Sequence, residues 1–231
     1  MTQLPLVLAI AGDDPGGQAG LARDRAVLEA IGCRVASIRT ARTAQDPSRP
    51  LAVWPEKQRD VVEGIQQSLA QESVAAVKIG MLASEAIVSG VLECLRTYGG
   101  PVVLDPVLAS SAGLTLLEEH AYGRLTELAS FCSLVTPNLP EFKRLGGAAW
   151  LQAHGAPTLL KGGHATGNRV DDQLLYADGS VRVFSHPRSS GPSPRGTGCA
   201  LSSAIAGYLA HGKDLEEAVR CGVDWLQENL F

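Results

Sequence analysis

The segment Arg195–Ala206, RGTGCALSSAIA, sets two glycines around a threonine where a helical pattern begins. A helix start carries unpaired N–H groups and a partial positive charge. Glycines let an anion approach that backbone closely, so Gly196, Thr197 and Gly198 form a candidate phosphate site. Cys199 falls in the first turn, where the same dipole favours a thiolate. Alone, G-x-G is a weak signal, and a plain loop-to-helix turn with a buried cysteine accounts for it equally well. Other segments place polar groups at what read as strand ends. Ile10–Gly20 (IAGDDPGGQAG) leaves a strand for a helix through glycines, matches neither the Walker nor the dinucleotide pattern, and puts Asp24 one helical turn inside. Val103–Pro106 (VLDP) brings Asp105 to a strand terminus, a position suited to a Mg²⁺ shell. Thr136–Glu141 (TPNLPE) offers Asn138 and Glu141, and Lys161–His164 (KGGH) offers Lys161 and Gly163. His164 reads as a loop or structural group rather than a general base. Met81, just past a strand in KIGML, reads as core or as the wall of an apolar ligand pocket. Separately each segment is a helix cap or a turn. Together, on one rim of a sheet, they imply a shared cleft, because ligands of open α/β sheets sit beyond the carboxyl ends of the strands.

The elements that must carry this rim follow from hydrophobic periodicity. Short apolar runs predict strands at Leu6–Ile10, Arg34–Ile38, Val74–Ile79, Pro101–Leu104, Ser133–Val135 and Thr158–Lys161. Helical spacing predicts helices over Leu21–Ile31, Gln58–Gln71 and Glu85–Thr97, and another from about Gly198 to Ala210. A last helix starts at Asp214, with Glu217 completing a capping box. Near-continuous apolar strands mean that helices cover both faces of a parallel, doubly wound sheet. Leu174–Tyr176 and Val181–Phe184, around Ala-Asp-Gly, read as an antiparallel hairpin at one edge. Asp171 and Asp172 lie at its start, at least one of them solvated. Ser185–Pro194 reads as a loop leading into the RGTGC segment.

Composition excludes several classes. A chain of 231 residues, 45% hydrophobic and 19% charged, suits one large α/β domain or two small ones. A net charge of −4 without a basic run argues against nucleic acid or an anionic membrane as partner. The N-terminal apolar run has no basic lead-in and ends in two acids, so it reads as a strand and not a signal peptide. No stretch approaches membrane-spanning length. The five cysteines are scattered and lack any C-x-x-C spacing, which fits reduced thiols in a cytoplasm and offers no metal site.

In order along the chain, IAGDDPGGQAG, VKIGML, VLDPV, TPNLPE, KGGH, the D-x-L-L-Y stretch at Asp172–Tyr176 and GTGCALSSAIA resemble the hydroxymethylpyrimidine/phosphomethylpyrimidine kinases of thiamine biosynthesis, within the ribokinase-like superfamily. The resemblance runs over nearly the whole chain. It implies a single domain over residues 1–231, a three-layer α/β/α sandwich with a mostly parallel central sheet and an antiparallel edge hairpin. It also implies ATP as co-substrate with Mg²⁺, a small-molecule pyrimidine as acceptor, and a cytoplasmic homodimer. The acceptor's hydroxymethyl group, then its phosphate, would be phosphorylated. On this resemblance Gly196, Thr197 and Gly198 form the anion hole, and Cys199 fills the catalytic position that most sugar and pyridoxal kinase relatives give to Asp. Asn138 and Glu141 match an N-x-x-E element that orders Mg²⁺ and phosphate, with Asp105 beside Glu141 on the metal side and Lys161 and Gly163 on the nucleotide side. Asp24, Met81 and Val107 fall where the family lines its pyrimidine pocket.

The departures from the family cluster on the acceptor side. In IRTARTAQDP, Arg42 or, after a three-residue shift, Gln45 takes the place of the ring-binding glutamine. Ser111 stands for a family lysine, Leu114 where an acid is common, and Arg195 where the family has histidine before GTGC. These changes keep two alternatives open: a pyridoxal/pyridoxine kinase of the same superfamily, and a ligand-binding relative without turnover.

Overall fold

Nine strands among the described residues form one sheet in the computed structural model, which describes residues 3–44, 52–110, 113–162, 168–188 and 194–230. In chain order they are β1 (Leu6–Asp13), β2 (Arg34–Ala44), β3 (Ala52–Pro55), β4 (Val74–Ile79), β5 (Val102–Leu104), β6 (Leu134–Val135), β7 (Thr158–Leu160), β8 (Arg169–Leu175) and β9 (Val181–Pro187). The order across the sheet is β3-β2-β1-β4-β5-β6-β7-β8-β9. The six strands from β2 to β7 in that order are mutually parallel, while β3, β8 and β9 add antiparallel edges. The chain leaves β1 for β2 on one side and later returns to β4 on the other. The boundary between β1 and β4 is therefore a switch point, where a ligand crevice opens.

Alternation along the strands explains why they read as unbroken apolar runs. Leu8, Ile10, Val77 and Ile79 face a layer made by α2 (Gln58–Gln71), α3 (Glu85–Leu95) and α4 (Tyr122–Ala129). Val7, Ala9 and Ala76 face the opposite layer of α1 (Gly20–Ala30), α7 (Thr197–Ala210) and α8 (Leu215–Leu230). Two cores, one on each face, thus bury every position of β1 from Leu6 to Gly12. Two short helices, α5 (Leu139–Leu145) and α6 (Ala148–His154), follow β6. Among the described residues, no helix is long and apolar enough to cross a membrane.

The structure departs from the sequence expectations where pairing rather than hydrophobicity holds the chain. β1 and β2 run on past their apolar stretches, β2 because Ala41 to Ala44 pair with β3, a strand whose neighbouring sequence gives no alternation. The edge hairpin is longer than expected, since all seven residues of β8 pair with β9. At α8, Asp214 Oδ1 does accept the Glu217 N–H at 2.8 Å, but the Glu217 carboxylate turns to Lys213, so only half of the capping box forms.

One central residue breaks the apolar rule. Lys78 lies in the middle of the sheet with no solvent exposure, its Nζ 2.7 Å from Asp24 Oδ1. Ser203 Oγ on α7 donates to the same carboxylate oxygen at 2.9 Å. A buried charge is tolerated only when paired and hydrogen-bonded. Removing one partner strands the other, so Lys78→Met should destabilise the fold by about 3–5 kcal/mol in denaturant titration. Lys78→Met with Asp24→Leu should recover much of that loss. A single variant as stable as the parent would remove the pair from the fold's essentials.

Candidate active site

The carboxyl ends of β1, β4, β5, β6 and β7 and the start of α7 enclose a cavity of about 540 Å³. Each contributes through its own local geometry. Beyond β1, Asp14 Oδ2 accepts the N–H groups of Gln18 and Ala19 at 3.1 and 3.0 Å, folding residues 14–19 into a tight loop. That loop presses on the start of α7. Gly20 has φ +56°, and a Cβ there would stand 2.2 Å from the Gly12 carbonyl oxygen. Gly196 has φ +81°, and a Cβ there would stand 2.0 Å from the Gln18 carbonyl oxygen. Both positions require glycine, because the contact is with backbone and the left-handed φ is strained for other residues.

Gly196 is the N-cap of α7 and supplies no side-chain cap. Among the described residues no side chain caps the first amides of this 14-residue helix, which borders the cavity through Gly196, Thr197, Gly198 and Cys199. Unpaired N–H groups and a helix dipole make this an anion cradle. Beneath it, Lys161 Nζ pairs with Asp105 Oδ1 at 2.9 Å, and a Cβ on Gly198 would stand 3.1 Å from that Nζ. A side chain at this position would press on the lysine and require it to shift by a few tenths of an ångström. Thr136 Oγ1 lies 3.5 Å from the same Asp105 oxygen. Burial works against the Lys161 charge, but Asp105 and Glu141 hold its pKa above the ordinary lysine value.

Asn138 and Glu141 form a reciprocal capping box on α5: Glu141 N–H donates to Asn138 Oδ1 at 2.9 Å, and Asn138 N–H donates to Glu141 Oε2 at 2.8 Å. The three-residue spacing thus fixes the α5 start and points the carboxyl into the cavity rim. Burial pushes Glu141 up to about 7, with Lys161 opposing and Asp105 adding. On the far side of Lys161, buried Asp172 accepts the Gly162 N–H at 2.7 Å and faces His186 at 3.3 Å, while Asp171 is exposed.

The other end of the cavity is apolar. Met81 packs with Ala41 and Leu116, flanked by Val107 and Leu114. The Thr40 hydroxyl donates to the Met81 carbonyl at 2.6 Å and fixes that turn. Met81, Val107, Leu114 and Leu116 all line the cavity.

Three expectations are corrected by this geometry. Asp24 does not line the cavity; it is fully buried and engaged with Lys78 and Ser203. Arg42 does not line it either. Successive residues of a strand face opposite ways, and Ala41 and Thr43 take the inner face, leaving Arg42 exposed near Glu56. Cys199 is a thiol, not a favoured thiolate. Burial pushes it up to about 11, with Lys78 opposing, Asp24 and Asp105 adding, and a hydrogen bond from Gly20 too weak to reverse the balance. Gln45, Gly163, Ser111 and His164 lie outside the described residues. Residue-type reasoning passed over Asp14, Thr43, Lys78 and Leu116, all of which line the cavity. The one available signal was Lys78, a charge inside an apolar strand, which demands a buried partner.

A mostly parallel sheet between two helical layers, with antiparallel strands at its edges, defines a ribokinase-like fold. The chain belongs to the phosphomethylpyrimidine kinase family, whose model matches residues 14–231. It is 37% identical to the thiamine biosynthesis multifunctional protein ThiED of Corynebacterium efficiens over 98% of this chain, spanning 33% of that protein's length. It is 36% identical to the hydroxymethylpyrimidine/phosphomethylpyrimidine kinase of Aquifex aeolicus over 97% of this chain and 94% of that one. Among solved structures, phosphomethylpyrimidine kinase from Clostridium difficile 630 superposes with a TM-score of 0.80 at 30% identity, over 98% of this chain and 100% of that one.

The cradle gives a direct test. Gly196→Ala should weaken binding of inorganic pyrophosphate by at least roughly tenfold in calorimetry, since the strained φ alone costs about 1 kcal/mol before the backbone clash. Gly123→Ala, on a helix with nothing within 4 Å of the added carbon, should leave binding unchanged. Equal affinity in parent and Gly196→Ala would remove the turn from the binding site.

Proposed function

We propose that the chain transfers the terminal phosphoryl group of ATP to 4-amino-5-hydroxymethyl-2-methylpyrimidine and then to its monophosphate, in thiamine biosynthesis. The observation that carries this reading is the two-ended cavity. An apolar recess at Met81, Val107 and Leu116 suits a small flat ring, and the α7 cradle suits phosphate, with Cys199 on the helix turn at the cradle. Membership of the family supports the substrate class.

The acceptor hydroxyl attacks the terminal phosphorus; the new P–O bond forms as the bridging P–O bond to the nucleoside diphosphate breaks. Such transfer needs positioning and charge neutralisation above all. The amides of residues 197–199 face the charge that develops on the transferred group, and Lys161 adds a fixed cation beneath them. Cys199, once it has lost its own proton, takes the hydroxyl proton as the thiolate and returns to the neutral thiol.

Asp105 and Glu141 would hold a magnesium ion that arrives already coordinated by the triphosphate oxygens. Among the described residues no three metal-ligating side chains converge, and both carboxylates already accept from protein donors, Asp105 from Lys161 and Glu141 from the Asn138 and Leu108 N–H groups. That donor set suits an ion that brings phosphate and water ligands with it. When bound, it neutralises phosphate charge. Asn138 holds Glu141 in place for it.

MgATP with hydroxymethylpyrimidine should give the monophosphate, with pyridoxal the weaker acceptor by kcat/KM. No turnover of either the pyrimidine alcohol or its phosphate by folded protein overturns the reading. Because a thiol near 11 becomes a base only on losing its proton, the single-turnover rate on the alcohol should rise with pH between 7 and 10. Cys199→Ala should cut that rate by roughly 10²–10⁴ and flatten the profile. A flat profile in the parent would show that Cys199 only shapes the pocket.

A further inference from the structure

The structure assigns to Arg195 the selection of the phosphorylated acceptor: its guanidinium holds the phosphate monoester that serves as second substrate. This rests on the two-step reading above. Among the described residues, the cations lining the cavity are Lys78, Lys161 and Arg195. Two are committed, Lys78 to Asp24 at 2.7 Å and Lys161 to Asp105 at 2.9 Å. Arg195 is held more loosely. Its Nη2 lies 3.7 Å from Asp14 Oδ1, beyond hydrogen-bond reach, and its side chain keeps 35% of its exposure. Among the described residues, that Asp14 atom is itself buried with no hydrogen-bond partner. The pair is therefore matched in charge but not closed by a hydrogen bond. A guanidinium has five donors in a planar fork, so it can keep Asp14 on one side and take phosphate oxygens on the other.

The two phosphorylations place different demands on this site. In the first, a neutral alcohol attacks and must lose a proton. In the second, a monoester oxygen that is already anionic attacks the terminal phosphorus. The P–O bond to it forms as the bridging P–O bond of the nucleoside triphosphate breaks, and the nucleoside diphosphate leaves with the bonding pair. No proton has to be removed, but two more negative charges enter beside the cradle. Arg195 immediately precedes Gly196, at the point where that charge arrives, and Arg42 is turned away from the cavity.

The test compares kcat/KM for hydroxymethylpyrimidine and its monophosphate in the parent, Arg195→Gln and Arg195→Lys. Calorimetric binding of the monophosphate without nucleotide is measured alongside. Arg195→Gln should lower the value for the monophosphate roughly tenfold to hundredfold more than that for the alcohol, the worth of charge-assisted hydrogen bonds. Arg195→Lys should recover part of it. Monophosphate binding should weaken in parallel. Equal losses on both acceptors would reduce Arg195 to a structural role, and a parent that turns over the alcohol but does not bind the monophosphate overturns the proposal. If the parent phosphorylates neither acceptor, the two-step reading falls, and binding alone decides: loss in Arg195→Gln supports the phosphate contact, and no binding by the parent ends it.

Discussion

The ion pair between Lys78 and Asp24 is the interaction on which the site's geometry depends. It joins the central strand β4 to α1, and through Ser203 it ties both to α7. All three elements also carry the rim of the cavity. With both side chains fully buried, neither charge has water to fall back on, so each fixes the other's position. Lys78 also reaches the cavity and bears electrostatically on Cys199. The field at the reacting end is thereby set from below, by groups that do not meet solvent. Burial works against the lysine's charge, yet Asp24, Cys199 and Asp105 keep its pKa above the ordinary value.

A second pair repeats the arrangement at the ends of β5 and β7. Lys161 and Asp105 lie under Gly198 as Lys78 and Asp24 lie under the sheet's centre. The difference is access. The Lys161 side chain retains 14% exposure at the cavity, enough to meet a phosphate, whereas Lys78 retains none. One pair organises the fold around the cavity and the other opens onto it.

How much of this is legible in the sequence depends on the range of the physics involved. The parallel sheet, its apolar strands and the gathering of motifs at strand ends follow from local patterns, and the helix at Gln58–Gln71 and strand at Val74–Ile79 fall where periodicity puts them. The capping role of Asn138 and Glu141 is likewise local. What escapes is long-range. Asp24 sits at a plausible depth for the cavity, and only its partner 54 positions away shows that it is occupied elsewhere. That Arg42 turns away from the cavity is equally illegible, because strand register decides which side chains of β2 turn inward, and register is set by pairing with β1 and β3. The helix start at α7 suggests a reactive thiolate, but burial by distant elements outweighs the local dipole at Cys199.

The two glycines that lock the residue 14–19 loop against the α7 turn have a consequence for how this family can diversify. Gly20 and Gly196 make contacts through backbone, so the α7 end of the cavity is specified by chain path rather than by side-chain choice. The apolar end is specified by ordinary side chains, Leu114 and Leu116 among them. Mutation can therefore walk through acceptor preference one side chain at a time while the transfer apparatus stays frozen. Selection has a free parameter in which molecule is phosphorylated and almost none in how.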